Sequence, residues 1–208
     1  MEERSLICIV DGDEEARISL RLLLEASGLH AADYASAADF LAGGLTEAAC
    51  LVTDLVIPDM DGLALLAEAG RRRSDLPVVI VTGYGAVGLA VRAMKAGAAD
   101  FLEKPFEAEA ILGSIHSALA IAERRRAAAA QTQTARHRLA ALTPREKHVL
   151  QELVDGHSNK AVAQRLGISP RTVEVYRAQI MNKLEAESLS DLVRTALAAT
   201  WAVSATGF

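Results

Sequence analysis

The chain has 208 residues, 51% of them hydrophobic, and a formal net charge of −5, which suits two small globular domains rather than one. No apolar run approaches the roughly 20 residues that a membrane helix requires, and the N-terminal "MEERSLICIV" has too short an apolar region for a signal peptide. These features predict a cytoplasmic protein without membrane contact. Cys8 and Cys50 lie in apolar strand-like runs with no CxxC partner and no histidine at ligand spacing, so they read as core residues rather than metal or redox groups.

The net charge hides an asymmetry. Residues 1–122 carry 9 Lys and Arg against 19 Asp and Glu, a balance of −10, whereas residues 123–208 carry 13 against 8, a balance of +5. An acidic front half is thus joined to a basic rear half, and a small basic domain points to nucleic acid.

In chain order, the first apolar run, Leu6–Val10, ends in Asp11-Gly12-Asp13-Glu14-Glu15. A helical pattern over Glu15–Ser27 follows, then a weaker strand His30–Tyr34, a short helix Ser36–Ala42, and a strand Cys50–Thr53 that delivers Asp54. Helix Gly62–Arg72, strand Val78–Val81 leading to Thr82, helix Val87–Ala96, strand Asp100–Glu103 before Lys104, and helix Glu107–Arg125 complete the acidic half. Strands alternating with helices imply a parallel sheet covered on both faces. Ligands of such sheets gather outside the C-terminal strand ends, where Asp11, Asp54, Thr82 and Lys104 stand.

That set suits phosphoryl transfer to a carboxylate. The nucleophile needs Mg²⁺ to neutralise phosphoryl oxygens, a hydroxyl to bond one of them, and a fixed cation for developing charge. Asp54, in "LVTDLVIPDMDG", is the candidate nucleophile; alone, it would read as a loop acid or a helix cap.

"VDGDEEAR", "LVTDLVIPDMDGLALL" and "VVIVTGYGAVGLAVRAMKAGAADFLEKPF" resemble the receiver domain of bacterial two-component response regulators, most closely the FixJ-type branch, over roughly residues 5–122. The resemblance implies a doubly wound, flavodoxin-like five-stranded parallel sheet of order 2-1-3-4-5. It further implies phosphorylation of Asp54 by a sensor histidine kinase, with Thr82 and Phe101 as the switch pair and Lys104 on the phosphoryl group after a cis Lys104-Pro105 bond. Mg²⁺ would be held by Asp11, Asp54 and the Val56 carbonyl.

One departure bears on that metal. The family usually places two adjacent acids after the first strand, the second being a direct Mg²⁺ ligand, and here Gly12 replaces that second acid. Mg²⁺ often binds through one or two carboxylates and retains waters, so weakened binding is expected rather than none. Asp13 is a substitute ligand if Gly12 lets it swing inward; the competing expectation is that Asp13 caps the first helix. Tyr84 and Ala86 also stand where close relatives tend to have His and Asp.

"ERRRAAAAQTQTARHRLAA", residues 123–141, reads as a mostly helical linker with a loosened middle at Gln131–Thr134. Beyond it lies an all-α domain of four helices, residues 142–208. Thr143, Pro144 and Glu146 form a capping box for the first helix, which ends at about Asp155 before Gly156. A second helix covers about Asn159–Leu166; after Gly167, Ser169 caps a third that starts at Pro170 and runs to about Leu184. Ser188 caps a fourth, and Trp201 reads as one of its packing residues.

In the third helix Val173, Ile180 and Leu184 share the buried side, while Arg171, Glu174, Val175 and Ala178 share another face that suits base edges in a major groove. Residues 140–200 resemble the LuxR-type helix-turn-helix of the same branch. By that resemblance Lys160, Thr172, Arg177 and Lys183 are phosphate contacts and Arg171, Glu174, Val175 and Ala178 read bases, with Tyr176 replacing a commoner His.

Three readings follow. The first is a DNA-binding transcriptional regulator, activated by phosphorylation of Asp54 and homodimerisation, that engages double-stranded promoter DNA and RNA polymerase and performs no catalysis beyond its own phosphorylation and dephosphorylation. The second keeps DNA binding but gives it a Mg²⁺-weak or phosphorylation-independent receiver. The third is a phosphate-sink receiver without specific DNA binding.

Overall fold

A computed structural model describes residues 5–83 and 87–204, with side chains through Ala198. The expectations for Tyr84, Ala86 and the Trp201 side chain lie outside the described residues. The chain divides into two compact units, Met1–Arg126 and Ala127–Phe208.

The first unit alternates strands and helices: β1 Leu6–Val10, α1 Glu14–Ala26, β2 His30–Tyr34, α2 Ala37–Asp39, β3 Ala48–Asp54, α3 Gly62–Arg72, β4 Val78–Thr82, α4 Val87–Lys95, β5 Asp100–Glu103 and the first part of α5 Ala108–Ala140, whose remainder belongs to the second unit. The strands form one parallel sheet of order β2-β1-β3-β4-β5, the order that the sequence resemblance implies. Its central strands are apolar except near their C-terminal ends because both faces are covered. On one face Val10, Leu51 and Ile80 pack with Phe40, Leu65 of α3 and Ala93 of α4. On the other, Ile9, Val52 and Val81 pack with Leu24 of α1 and Ile111 and Ile115 of α5.

Several boundaries differ from the sequence reading. Strands β3 and β4 extend to include Asp54 and Thr82, so these residues keep ladder positions rather than hanging in loops. The expected helix Ser36–Ala42 is three α residues followed by a π-helical turn, Phe40–Gly44. That turn brings Gly44 against Tyr34, where an added Cβ would lie 2.5 Å from the phenol oxygen. The loosened middle expected at Gln131–Thr134 is absent: α5 runs unbroken through it, as an alanine-rich segment without Gly or Pro favours.

The second unit contains α6 Pro144–Val154, α7 Asn159–Leu166, α8 Pro170–Leu184 and α9 Leu189–Ser204. Thr143 and Glu146 form the expected capping box, Gly167 (φ 65°) ends α7, and Ser169 caps α8. Val149, Leu153, Val162, Val173, Ile180, Leu184 and Leu192 close a separate core.

Candidate functional site

At the C-terminal rim of the sheet, one ammonium joins two carboxylates. Lys104 Nζ lies 2.6 Å from Asp11 Oδ2 and 2.7 Å from Asp54 Oδ2. These residues are 93 and 50 positions away from Lys104 in the chain, and only the strand order 2-1-3-4-5 makes them neighbours. Thr82 is fully buried at the end of β4 and pairs in register with Glu103, while Ile80 pairs with Phe101. Thr82 and Phe101 therefore share one sheet face, where Phe101 packs beside the α3 and α4 residues. The Lys104 amide donates to the Thr82 carbonyl (2.8 Å), and the Lys104-Pro105 bond is cis.

Burial pulls the Lys104 pKa down, but the hydrogen bonds and charges of Asp11 and Asp54 outweigh it and hold it above the ordinary lysine value. The ammonium is therefore permanently charged at neutral pH. With two carboxylates against one ammonium, the cluster carries a net −1.

Local structure holds each carboxylate. Asp11, 4% exposed, accepts from the Asp13 amide at Oδ1 (2.9 Å). Its carbonyl accepts from Arg17 Nη1 (2.9 Å), and Arg17 Nε is 2.9 Å from Asp33 Oδ2 at the end of β2. Asp54 Oδ1 accepts from the Val56 amide (3.1 Å), leaving Oδ2 to Lys104. Gly62 lets α3 begin directly against this strand end: a Cβ there would sit 2.2 Å from the Asp54 carbonyl oxygen.

Arg17 and Gly62 were not identified from the sequence. The Gly in "DMDG" was a visible signal for the second; the Arg17–Asp33 pair joins different elements and left none.

The two alternatives for Asp13 separate in the structure. Its carboxylate accepts from the Glu15 amide (2.9 Å) and the Ala16 amide (3.2 Å), capping α1 rather than turning toward Lys104. Gly12 has a steric partner: a Cβ built on it would lie 2.9 Å from Pro58 Cδ and 3.2 Å from Cγ. Among the described residues no group of three or more His, Cys, Asp or Glu side chains is placed to hold a metal. Two adjacent carboxylates at the strand ends, Asp11 buried and Asp54 half-buried, nevertheless fit Mg²⁺, which takes one or two carboxylates and fills its shell with water and phosphate oxygens.

In the second unit, Lys160, Arg171, Glu174, Val175 and Ala178 are exposed, and Thr172 and Arg177 partly so. Lys183 is exposed too, and its Nζ lies 2.7 Å from Glu146 Oε2. Glu146 is 3% exposed and also accepts from the Thr143 amide (2.7 Å). The Lys183 hydrogen bond, followed by the Thr143 amide, lowers the Glu146 pKa despite burial.

A folded-state pKa below the unfolded value, about 4.3 for glutamate, gives stability that is present above that pH and lost as pH falls through the folded pKa. The second unit is expected to lose stability below about pH 4–5 in part through this group. Denaturant titrations at pH 7 and pH 3.5 check it: the Glu146→Gln protein should be weaker at pH 7 and show a smaller drop on acidification.

The comparisons with known proteins agree on both units. Residues 7–116 match the model of the response regulator receiver domain, and residues 140–196 that of the bacterial regulatory proteins, luxR family. The chain is 47% identical to the transcriptional regulatory protein FixJ of Azorhizobium caulinodans, covering 96% of this chain and 95% of that one. It is 43% identical to FixJ of Bradyrhizobium diazoefficiens, covering 96% and 98%. Among solved structures it is similar to the response regulator StyR (TM-score 0.80, 37% identity, covering 93% and 98%) and to full-length FixJ from B. japonicum (TM-score 0.59, 43% identity, covering 95% and 98%).

A receiver implies a histidine kinase as phosphoryl source and Mg²⁺ as helper ion, and a luxR-type domain implies DNA. The acid-lined sheet rim, the helix-turn-helix unit and near full-length matches converge: the chain belongs to the FixJ-type response regulators, transcriptional regulators of two-component systems.

Proposed function

We propose that phosphorylation of Asp54 controls DNA binding by this regulator, with residues 1–122 as receiver, 123–141 as linker and 142–208 as DNA-binding domain. The observation that carries this reading is the Lys104 ammonium shared between Asp11 and Asp54. An Asp54 carboxylate oxygen forms a bond to phosphorus as the bond to the kinase histidine nitrogen breaks, and the leaving imidazole takes a proton. Lys104 then bonds the new phosphoryl oxygens, and Thr82 turns its hydroxyl to them, drawing Phe101 with it.

Asp11, Asp54 and the Val56 carbonyl would hold Mg²⁺, which would supply charge neutralisation at the phosphoryl oxygens. The switch exposes a homodimer surface around α4, and the dimer binds paired half-sites on promoter DNA and engages RNA polymerase. Lys160, Thr172, Arg177 and Lys183 contact phosphates; Arg171, Glu174, Val175 and Ala178 read bases.

The test is selection of a duplex from a random library, followed by affinity measurements over a range of salt. A dimer with about eight phosphate contacts gives a slope of log affinity against log salt of about −7, with tighter binding after treatment with a small phosphodonor. A flat salt dependence would exclude it. Gly12 favours a second reading, in which the receiver works without phosphorylation; unchanged DNA affinity in the Asp54→Asn protein, with and without phosphodonor, would establish that one. The luxR-family match leaves no support for a phosphate sink lacking DNA binding.

A further inference from the structure

Helix α8 has a reading end and an anchored end. Arg171, Glu174, Val175 and Ala178 stand exposed along its first two-thirds, and Leu184, its last residue, is fully buried. The helix closes in a Schellman turn, with Ala186 N donating to Met181 O (2.9 Å) and Glu185 N to Asn182 O (3.2 Å).

Such a turn needs a left-handed residue, normally Gly or Asn. Here it is Glu185 (φ 52°), the one non-glycine residue with positive φ among the described residues. The turn leaves the Leu184 carbonyl over. Arg138 takes it through Nη1 (3.2 Å), while Nη2 of the same guanidinium pairs with the Glu185 carboxylate.

Arg138 lies at the end of α5, beside Leu139, which packs on the same core. Lys183 adds a second tie, to Glu146 and, at 3.5 Å, to the Ala141 carbonyl. One planar fork thus joins the end of α5 to both the last carbonyl of α8 and the left-handed residue that follows it. That is a geometry an arginine can supply and a lysine cannot.

We propose that Arg138 is a positioning residue for DNA recognition, setting the tilt of α8 by clamping its C-terminal end; this rests on the reading that α8 meets the bases. The lever is long. Arg171 lies 13 residues before Leu184, roughly 20 Å at 1.5 Å per residue, so a tilt of about 10° moves it by roughly 3 Å. Donor–acceptor distances in hydrogen bonds span only about half an ångström, so that tilt loses the base contacts. The Glu185 side chain is 70% exposed, and an ion pair of that kind adds little to stability. The clamp therefore acts on the aim of the helix rather than on its folding.

The experiment uses the full chain, a duplex that the wild type selects from a random library, and a scrambled duplex of equal composition. Arg138→Ala should weaken binding to the selected duplex about tenfold, leaving the scrambled duplex, the salt slope and the melting temperature unchanged. Arg138→Lys should recover only part of the selectivity. Glu185→Gly, which suits the turn but removes the carboxylate, should also lose selectivity, and it carries the test if Arg138→Ala does not fold. Equal losses on both duplexes with a salt slope shallower by about one would make Arg138 a phosphate contact and overturn the proposal. Unchanged selectivity, or a loss that follows a fall in melting temperature, would overturn it as well. Failure of the wild type to select any duplex would instead remove the DNA reading, and this proposal with it.

Discussion

An Asp54→Asn protein incubated with a small phosphodonor and Mg²⁺ should gain no mass, whereas the native chain should gain one phosphoryl group. The amide is no longer a nucleophile, and Asp11, the other carboxylate on Lys104, is 4% exposed and occupied by the Asp13 amide. It offers no second acceptor. Lys104→Met should keep the acceptor but slow the reaction by about 10²–10³-fold, the usual cost of removing one preorganised group from developing charge. Intact-mass measurement over a time course separates the two variants. A phosphoryl group retained in Asp54→Asn would place the acceptor elsewhere.

The second large effect concerns Gly12. With Asp11, Asp54 and Lys104 the cluster carries a net −1, against −2 if position 12 held an acid. Restoring that acid should tighten Mg²⁺ binding at least tenfold, in keeping with the 10–100-fold effects of groups that support a metal site. The substitution is not free of strain, because the new Cβ meets the Pro58 ring at 2.9 Å. Gly12→Asp alone should cost about 1–3 kcal/mol from overpacking.

Adding Pro58→Ala should recover part of that stability and reveal the full gain in affinity. Calorimetric Mg²⁺ titration of the native chain, Gly12→Asp and the double variant, with melting temperatures alongside, decides it. Equal Mg²⁺ affinity in all three would show that position 12 does not face the metal.

Much of the receiver was legible because its local and global signals agree. The runs Leu6–Val10 and Val78–Val81 are apolar without alternation, which only a strand covered on both faces requires. Turn and cap residues then marked the helix ends, as at Thr143, Ser169 and Gly167. The π turn at Phe40–Gly44 carries no periodic signal of its own; it sets Gly44 against the Tyr34 ring, a contact between separate elements. Among the site residues, the strand-end positions of Asp54 and Lys104 were readable, while Arg17 of α1 was not, since its partner Asp33 belongs to a different element, β2.

The sequence by itself thus determined the order of elements, the two-domain composition and the chemistry available at the strand ends, because periodicity, capping and charge are written locally. Only the tertiary structure decided which of those groups meet. It set Lys104 between Asp11 and Asp54, turned Asp13 onto the α1 amides, and paired exposed Lys183 with buried Glu146. The physical reason is common to all three. A charged side chain takes the partner that lowers its desolvation cost, and which partner lies within reach depends on the packing of elements far apart in the chain.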